Sequence, residues 1–394
     1  MDLTKEEKQD LVQQAARKAW NDGGQWGLLA MATGTGKSLI AVQEATLLQD
    51  TAKGEANILL VVPTEKLRDN NWQDEFTKWN SSVVYDTIQR SCYASILKIE
   101  GQVFDLVILD EGHWLTAANS KFFQKNSIKR LLVLSATPPV APNPKSKVKD
   151  SINEQKYKLF VQHRIKTDFY YPIEQARTDG LVADYEIWVV RTQLDNATKY
   201  IEAGPKAKRF PQTEKQSYDY LTKMIQKFAI AKNYVMVKVK SLERMRLIAN
   251  SMEKLEACKM LLEKCKGNRI LVFGGSIDQI EKLLPGQVYH SKSGKAGHAY
   301  LAKFMAEEVD ECGTVAAANE GLNFPNLDIG LIAQISSDAR ALVQRIGRII
   351  RFRPDHTSII FIVVAQGTQD EKWLEAAFEG MDRSQIKYIN AKDL

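Results

Sequence analysis

The run Met31-Ala-Thr-Gly-Thr-Gly-Lys-Ser38 constrains this chain more than any other, because it lies between the apolar stretch Trp26 to Ala30 and the apolar run Leu39-Ile-Ala-Val42. Strand, glycine-rich turn and helix follow in that order, which is the context a phosphate loop requires. Gly34 and Gly36 let the backbone turn tightly, so the N–H groups of Thr33, Gly34, Thr35 and Gly36 converge on a phosphate at the positive end of the following helix. In such a loop Lys37 reaches the terminal phosphate oxygens and the Ser38 hydroxyl binds Mg²⁺.

Two further runs carry chemistry. Leu106-Val-Ile-Leu-Asp-Glu-Gly-His113 is an apolar strand ending in adjacent carboxylates. Asp110 is placed to hold the metal through water, and Glu111 to orient or deprotonate an attacking water. Far along the chain, Gln344-Arg-Ile-Gly-Arg-Ile-Ile-Arg351 spaces three arginines in a pattern suited to reading a nucleotide's state from a second domain.

At 394 residues the chain is too long for one ordinary domain and suits two of about 180 to 200 residues. Its 44% hydrophobic content lets each half bury a core. Apolar runs at 26–31, 57–62, 104–109 and 130–135 are nearly continuous, as strands of a parallel sheet buried on both faces should be. The rhythm returns at 269–273, 313–318, 329–334 and 358–364, and the stretch from Thr192 to Lys266 reads as mainly helical. The predicted fold is α/β: two tandem RecA-like domains, 1–178 and 179–394, each a mainly parallel sheet flanked by helices, with a crossover near 175–185.

These residues resemble the motifs of superfamily 2 helicases and translocases, in family order. Met31–Ser38 resembles motif I, Val61-Val-Pro-Thr64 motif Ia, Thr87-Ile-Gln89 motif Ib, Asp110-Glu-Gly-His113 motif II and Ser135-Ala-Thr137 motif III. Arg269-Ile-Leu-Val-Phe273 resembles motif IV, Glu320-Gly-Leu-Asn323 motif V and Gln344–Arg351 motif VI. Met31 stands where the general Walker pattern has its first glycine, Asn323 where many relatives have an aspartate, and Gly274-Gly275 where more polar residues follow motif IV. Trp72 falls one place late after Leu67.

The resemblance implies that ATP and Mg²⁺ bind between the domains and that Arg348 and Arg351 act as arginine fingers. Gln344 then senses the γ-phosphate or the lytic water, and Arg345 bridges domains. His113, Ser135 and Thr137 couple the ATP and nucleic-acid sites. Gln13, in Gln13-Gln-Ala-Ala16 with Trp20, resembles the upstream glutamine that reads adenine. The implied strand track uses Pro63, Thr64, Thr87, Gln89, Gly274 and Thr314 for sugar and phosphate contacts of low sequence specificity.

A formal charge of +6 favours a polyanionic partner, and its distribution says more. Residues 145–166 and 206–240 are rich in lysine, and the second run interleaves Tyr218, Tyr220, Phe228 and Tyr234, a composition suited to phosphate contacts and base stacking. The expected activity is a nucleic-acid-stimulated ATPase motor, a helicase acting on DNA. Gly112-His113 and Glu320-Gly-Leu-Asn323 resemble the repair, recombination, phage and restriction branch more than the Asp-Glu-Ala-Asp RNA branch. A duplex translocase, an RNA helicase and a nucleotide-gated clamp share these motifs. The charged N-terminus and the four cysteines without a Cys-x-x-Cys pair point to a cytoplasmic chain with no membrane contact and no zinc. A monomer is expected, with targeting left to a possible protein partner.

Overall fold

The computed structural model describes residues 3–142, 151–204, 209–290, 292–315, 324–337, 339–350, 356–379 and 381–394. Counting those residues only, the chain divides into two compact units. The first takes in Met1–Asp184 and Val343–His356, and the second Tyr185–Ala318, Phe324–Leu342 and Thr357–Leu394. The chain thus leaves the first unit at Asp184, and the described stretch Val343–Ile350 groups with that unit although the sequence places it in the second half.

The first unit is built on strands β1 (Trp26–Met31), β2 (Ile58–Val62), β3 (Gln89–Cys92), β4 (Leu106–Leu109), β5 (Leu131–Ser135) and β6 (Lys166–Tyr171). They form one six-stranded parallel sheet in the order β3-β2-β4-β5-β1-β6. The central strands carry aliphatic side chains on both faces, and Leu28, Leu59, Val107 and Val133 are buried together in one cluster. Register sets the site: Ala30 pairs with Ser135 and Leu109 with Val133, so the carboxyl ends of β1, β4 and β5 lie side by side. Ligands of such sheets bind at that edge. Polar β3 and the aromatic β6 carry no continuous apolar run and are recognisable only as edge strands.

Helix α1 (Lys5–Asp22) starts at a capping box between Thr4 and Glu7 and buries Gln13, Ala16 and Trp20 on one face. Helix α2 (Lys37–Thr51) follows the phosphate loop, and the short α3 (Trp72–Lys78) follows a π-helical turn over Leu67–Asn71.

The second unit contains β7 (Asp184–Thr192), β8 (Ile270–Gly274), β9 (Val288–Tyr289), β10 (Glu311–Val315), β11 (Ile329–Ile332), β12 (Thr357–Ala365) and β13 (Ile386–Asn390). The seven-stranded sheet runs β9-β10-β8-β11-β12-β7-β13, with parallel pairing at β9/β10, β10/β8, β8/β11, β11/β12 and β7/β13. Between β7 and β8 lie a small antiparallel ribbon, Ile201–Ala203 with Phe210–Gln212, and helices α4 (Glu214–Ile230), α5 (Tyr234–Ala249) and α6 (Met252–Lys264). Lys254 of α6 is fully buried and donates to Asp370 at 2.5 Å and Gln334 at 2.8 Å, a paired charge that the interior tolerates. Helices α7 (Ala339–Ile349) and α8 (Gln369–Ala377) follow. No helix among the described residues is long and apolar enough to cross a membrane.

Candidate active site

The loop between β1 and α2 needs glycine twice. Gly34 and Gly36 hold φ of 87° and 89°, in the left-handed region that side chains disfavour. A Cβ on Gly36 would also lie 2.0 Å from Gln13 Nε2. Gly36 caps α2 without any side-chain hydrogen bond, which leaves the first-turn N–H groups of the helix directed at the loop's concavity. Within the loop, Thr35 Oγ1 donates to Ala32 O at 2.7 Å and Gln13 Nε2 donates to Thr35 O at 3.3 Å. Gln13 is therefore not a surface residue: it is 3% exposed, and its amide supports the loop backbone.

Lys37 Nζ donates to the carbonyls of Met31 and Ala32 at 2.8 and 3.0 Å. Burial lowers its pKa, with Arg348 acting in the same direction and Glu111 and Asp110 opposing. Asp110 follows the end of β4, and both of its carboxylate oxygens are engaged. Oδ1 accepts from the Glu111 N–H at 2.9 Å and Oδ2 from the Trp72 indole N–H at 3.0 Å. Desolvation and then the neighbouring Glu111 charge push Asp110 up to about 7. Glu111 has φ 49°, a left-handed conformation rare for a side-chain-bearing residue and frequent at functional sites. Tyr93, just past β3, donates its hydroxyl to Asp110 O at 2.9 Å. Trp72 and Tyr93 are thus site residues that no motif reading identified; the late position of Trp72 was their one trace in the sequence.

His113 joins three of the expected residues. Its Nδ1 lies 3.2 Å from Ser135 Oγ and 3.3 Å from Glu111 Oε2, and its Nε2 lies 3.1 Å from Gln344 Nε2. An amide nitrogen can only donate, so Nε2 accepts and the proton sits on Nδ1, facing Glu111 and Ser135. Ser135 Oγ also accepts from Thr137 N at 3.1 Å. Along α7, Gln344, Gly347 and Arg348 fall on one face at i, i+3 and i+4, while Ile346 and Ile349 are buried on another. Gly347 is where this helix approaches the loop: a Cβ there would stand 3.2 Å from Thr33 Oγ1. Arg345 is 6% exposed. Arg351 lies outside the described residues. A cavity of about 220 Å³ beside Thr33 and Gly34 is lined by Lys5, Leu181, Val182, Gly347 and Ile350.

The expected strand track is only partly brought together. Pro63 and Thr64 follow the carboxyl end of β2, on the loop's side of the sheet. Thr87 and Gln89 do not join them, because β3 begins at Gln89 and both residues therefore stand at its amino end. Gln89 bonds there to Asn57 and Gln102, and Thr87 to Gln49. The carboxyl end of that strand is Cys92-Tyr93-Ala94-Ser95. Thr314 is corrected likewise: it sits inside β10 opposite Phe273 and is 1% exposed, so it presents nothing to a strand. Gly274 ends β8, and a Cβ on it would press on Ile280 at 3.1 Å. Glu320–Asn323 lie outside the described residues.

A phosphate loop, strand-end carboxylates and an arginine-bearing helix, set on RecA-like parallel sheets, define a P-loop nucleoside triphosphatase. Residues 3–95 match the family model "Type III restriction enzyme, res subunit", and residues 253–353 match "Helicase conserved C-terminal domain". The chain belongs to helicase superfamily 2. It is 23% identical over 386 residues to the DNA 3′-5′ translocase XPB2 of Sulfurisphaera tokodaii, covering 91% of this chain and 82% of that protein. It is 22% identical over 389 residues to the DNA 3′-5′ helicase XPB of Kineococcus radiotolerans, covering 91% of this chain and 60% of that one. Its fold resembles a fragment of a putative type I restriction enzyme HsdR subunit from Vibrio vulnificus, with TM-score 0.59, 17% identity, and coverage of 98% and 68%. It likewise resembles the DNA-bound type ISP restriction-modification enzyme LlaBIII, with TM-score 0.59 and 16% identity. That match covers 96% of this chain, which spans only 31% of the larger enzyme.

Proposed function

We propose that this protein is an ATP-driven DNA motor of superfamily 2, a helicase or translocase moving 3′ to 5′ as its relatives XPB2 and XPB are named to do. The observation that carries this is the convergence of Lys37, Asp110, Glu111, His113, Gln344 and Arg348 in one compact unit. The residues fit ATP with Mg²⁺: an uncapped helix start and Lys37 supply donors for phosphate, and two crowded carboxylates supply the negative charge a divalent cation requires. Lys37 and the loop N–H groups would hold the phosphates, and Ser38 and Asp110 would hold the metal. The cavity beside Gly34 would take the nucleoside, and bound Mg·ATP would supply the phosphoanhydride that water cleaves. Glu111 draws the proton from the attacking water, His113 reports its position to Ser135 and Gln344, and Arg348 and Arg351 steady the charge on the transferring group.

The support for Gln13 is loop shaping, not base reading. Gln13→Ala is expected to weaken ATP and GTP binding alike, by roughly threefold to tenfold, as loss of one hydrogen bond does. Equilibrium titration with both nucleotides checks this, and a loss confined to ATP would return Gln13 to adenine recognition.

On the second unit, the α4–α5 hairpin is a further candidate for nucleic-acid contact. From Tyr220 to Leu242 it carries Lys223, Lys227, Lys232, Lys238 and Lys240 with no Asp or Glu. Its turn exposes Ile230 (85%), Tyr234 (71%) and Val235 (74%). Tyr218, by contrast, is a core residue, and Lys158 of the earlier basic run pairs with Glu154. Replacing Lys227, Lys232 and Lys238 with alanine is expected to lower the slope of log affinity against log salt by about 2 to 3.

ATPase rates with single-stranded, duplex and forked DNA and with RNA, followed by strand displacement, test the whole reading. Stimulation by DNA with displacement identifies a helicase, and stimulation without displacement a duplex translocase. Stimulation by RNA alone, or by neither polymer, overturns the proposal.

A further inference from the structure

Asp110 is held by a residue that enters the site through an irregularity in the chain. Between Thr64 and α3 the helix makes a π-helical turn over Leu67–Asn71, which contains one more residue per turn than an α-helix. In the π-turn the backbone bond closes over five residues instead of four, and the Trp72 N–H bonds to the Leu67 carbonyl, so Trp72, not Asn71, stands one turn beyond Leu67. This explains the late tryptophan physically. The turn is braced from outside, because the Tyr85 hydroxyl donates to the carbonyl of Arg68 within it. Trp72 is 3% exposed, and its ring is fixed by Phe76, one turn on, at a centroid distance of 6.2 Å; Phe76 in turn packs on Tyr85 at 5.4 Å. That packing needs an aromatic ring, but it does not need the indole N–H. The N–H is directed at Asp110 Oδ2 at 3.0 Å, and with Oδ1 on the Glu111 N–H the carboxylate has no rotational freedom left.

We propose that Trp72 is a positioning residue, delivered by the π-turn, that orients Asp110 toward the metal of the nucleotide site. The inference rests on the proposed function only in taking Asp110 as a metal-binding group. Partners that fix a metal-holding carboxylate in this way are worth about 10- to 100-fold in metal affinity.

The test compares the full-length protein with Trp72→Phe, which keeps an aromatic ring and removes the donor. A fluorescent ATP analogue is bound first in EDTA and then across a Mg²⁺ titration. Trp72→Phe is expected to leave metal-free nucleotide affinity within about twofold and to raise the Mg²⁺ midpoint by about 10- to 100-fold. A merely structural tryptophan would lower both affinities together. A readout free of metal accompanies it: among the indole N–H resonances of the seven tryptophans, the one absent from Trp72→Phe should move in Asp110→Ala. Should Trp72→Phe fail to fold, Tyr85→Phe removes only the brace on the π-turn and is expected to raise the Mg²⁺ midpoint by roughly 2- to 10-fold. A Mg²⁺ midpoint unchanged in a folded Trp72→Phe, or in Tyr85→Phe where that variant stands in, overturns this inference while leaving the nucleotide site intact. Nucleotide binding indifferent to Mg²⁺ in the unaltered protein overturns the site reading and this inference with it.

Discussion

Glu111→Gln should bind Mg·ATP with near-normal affinity and turn it over about 10² to 10⁴ times more slowly. The substitution is close to isosteric, so the left-handed turn at φ 49° and the Glu111 N–H bond to Asp110 Oδ1 survive. What disappears is a carboxylate whose Oε2 lies 3.3 Å from His113 Nδ1. In the assigned tautomer that nitrogen carries the proton, and Glu111 Oε2 near it accepts no hydrogen bond from the described residues, so its lone pair is free to draw a proton from water. The glutamine amide keeps the shape of the carboxylate but has no basicity to offer. Single-turnover hydrolysis with the nucleotide affinity measured alongside separates the two effects. Turnover within a few-fold of the unaltered protein would remove Glu111 from the chemistry.

Arg348→Ala is the second large effect. It should lower turnover by about 10³ to 10⁵ while changing nucleotide affinity little, because such an arginine acts on charge that develops during transfer. The structural ground is twofold. Arg348 shares a helical face with Gln344 and Gly347, the two residues of α7 that reach His113 and Thr33, and its charge is felt at Lys37. A self-sufficient one-domain phosphate-loop enzyme has no use for a distant arginine, so full activity in Arg348→Ala would exclude the motor class. Steady-state ATPase assays with saturating DNA, set beside equilibrium nucleotide binding, give the split between kcat and affinity.

Much of this site was legible along the chain because its chemistry is local. A loop with glycines at fixed places, a strand ending in Asp110-Glu111 and three arginines at helical spacing each require only a few consecutive residues to be recognised. The strand runs were legible for the same reason, since parallel strands covered on both faces have no polar positions to interrupt them. Where a residue's role depends on the point at which a strand starts or stops, reading along the chain fails. Resemblance to motif Ib places Thr87 and Gln89 on the strand track, yet β3 begins at Gln89 and ends three residues further on. Thr314 falls in the apolar run at 313–318 and resemblance alone places it on the strand track, yet β10 extends past it and buries it. Polar β3 lacks the alternation or apolar continuity that would have announced it.

Composition and order along the chain therefore established the kind of machine, a helicase-type ATPase on two α/β units. Folding in space decided which side chains meet. Strand register together with the packing of helices on the sheet brings His113 between Glu111, Ser135 and Gln344 and turns the Gln13 amide toward the loop, and a π-turn carries Trp72 round to Asp110. The physical reason is that covalent spacing prescribes local conformation, whereas the contacts of an active site are made between strands and helices whose registry depends on packing far from the site.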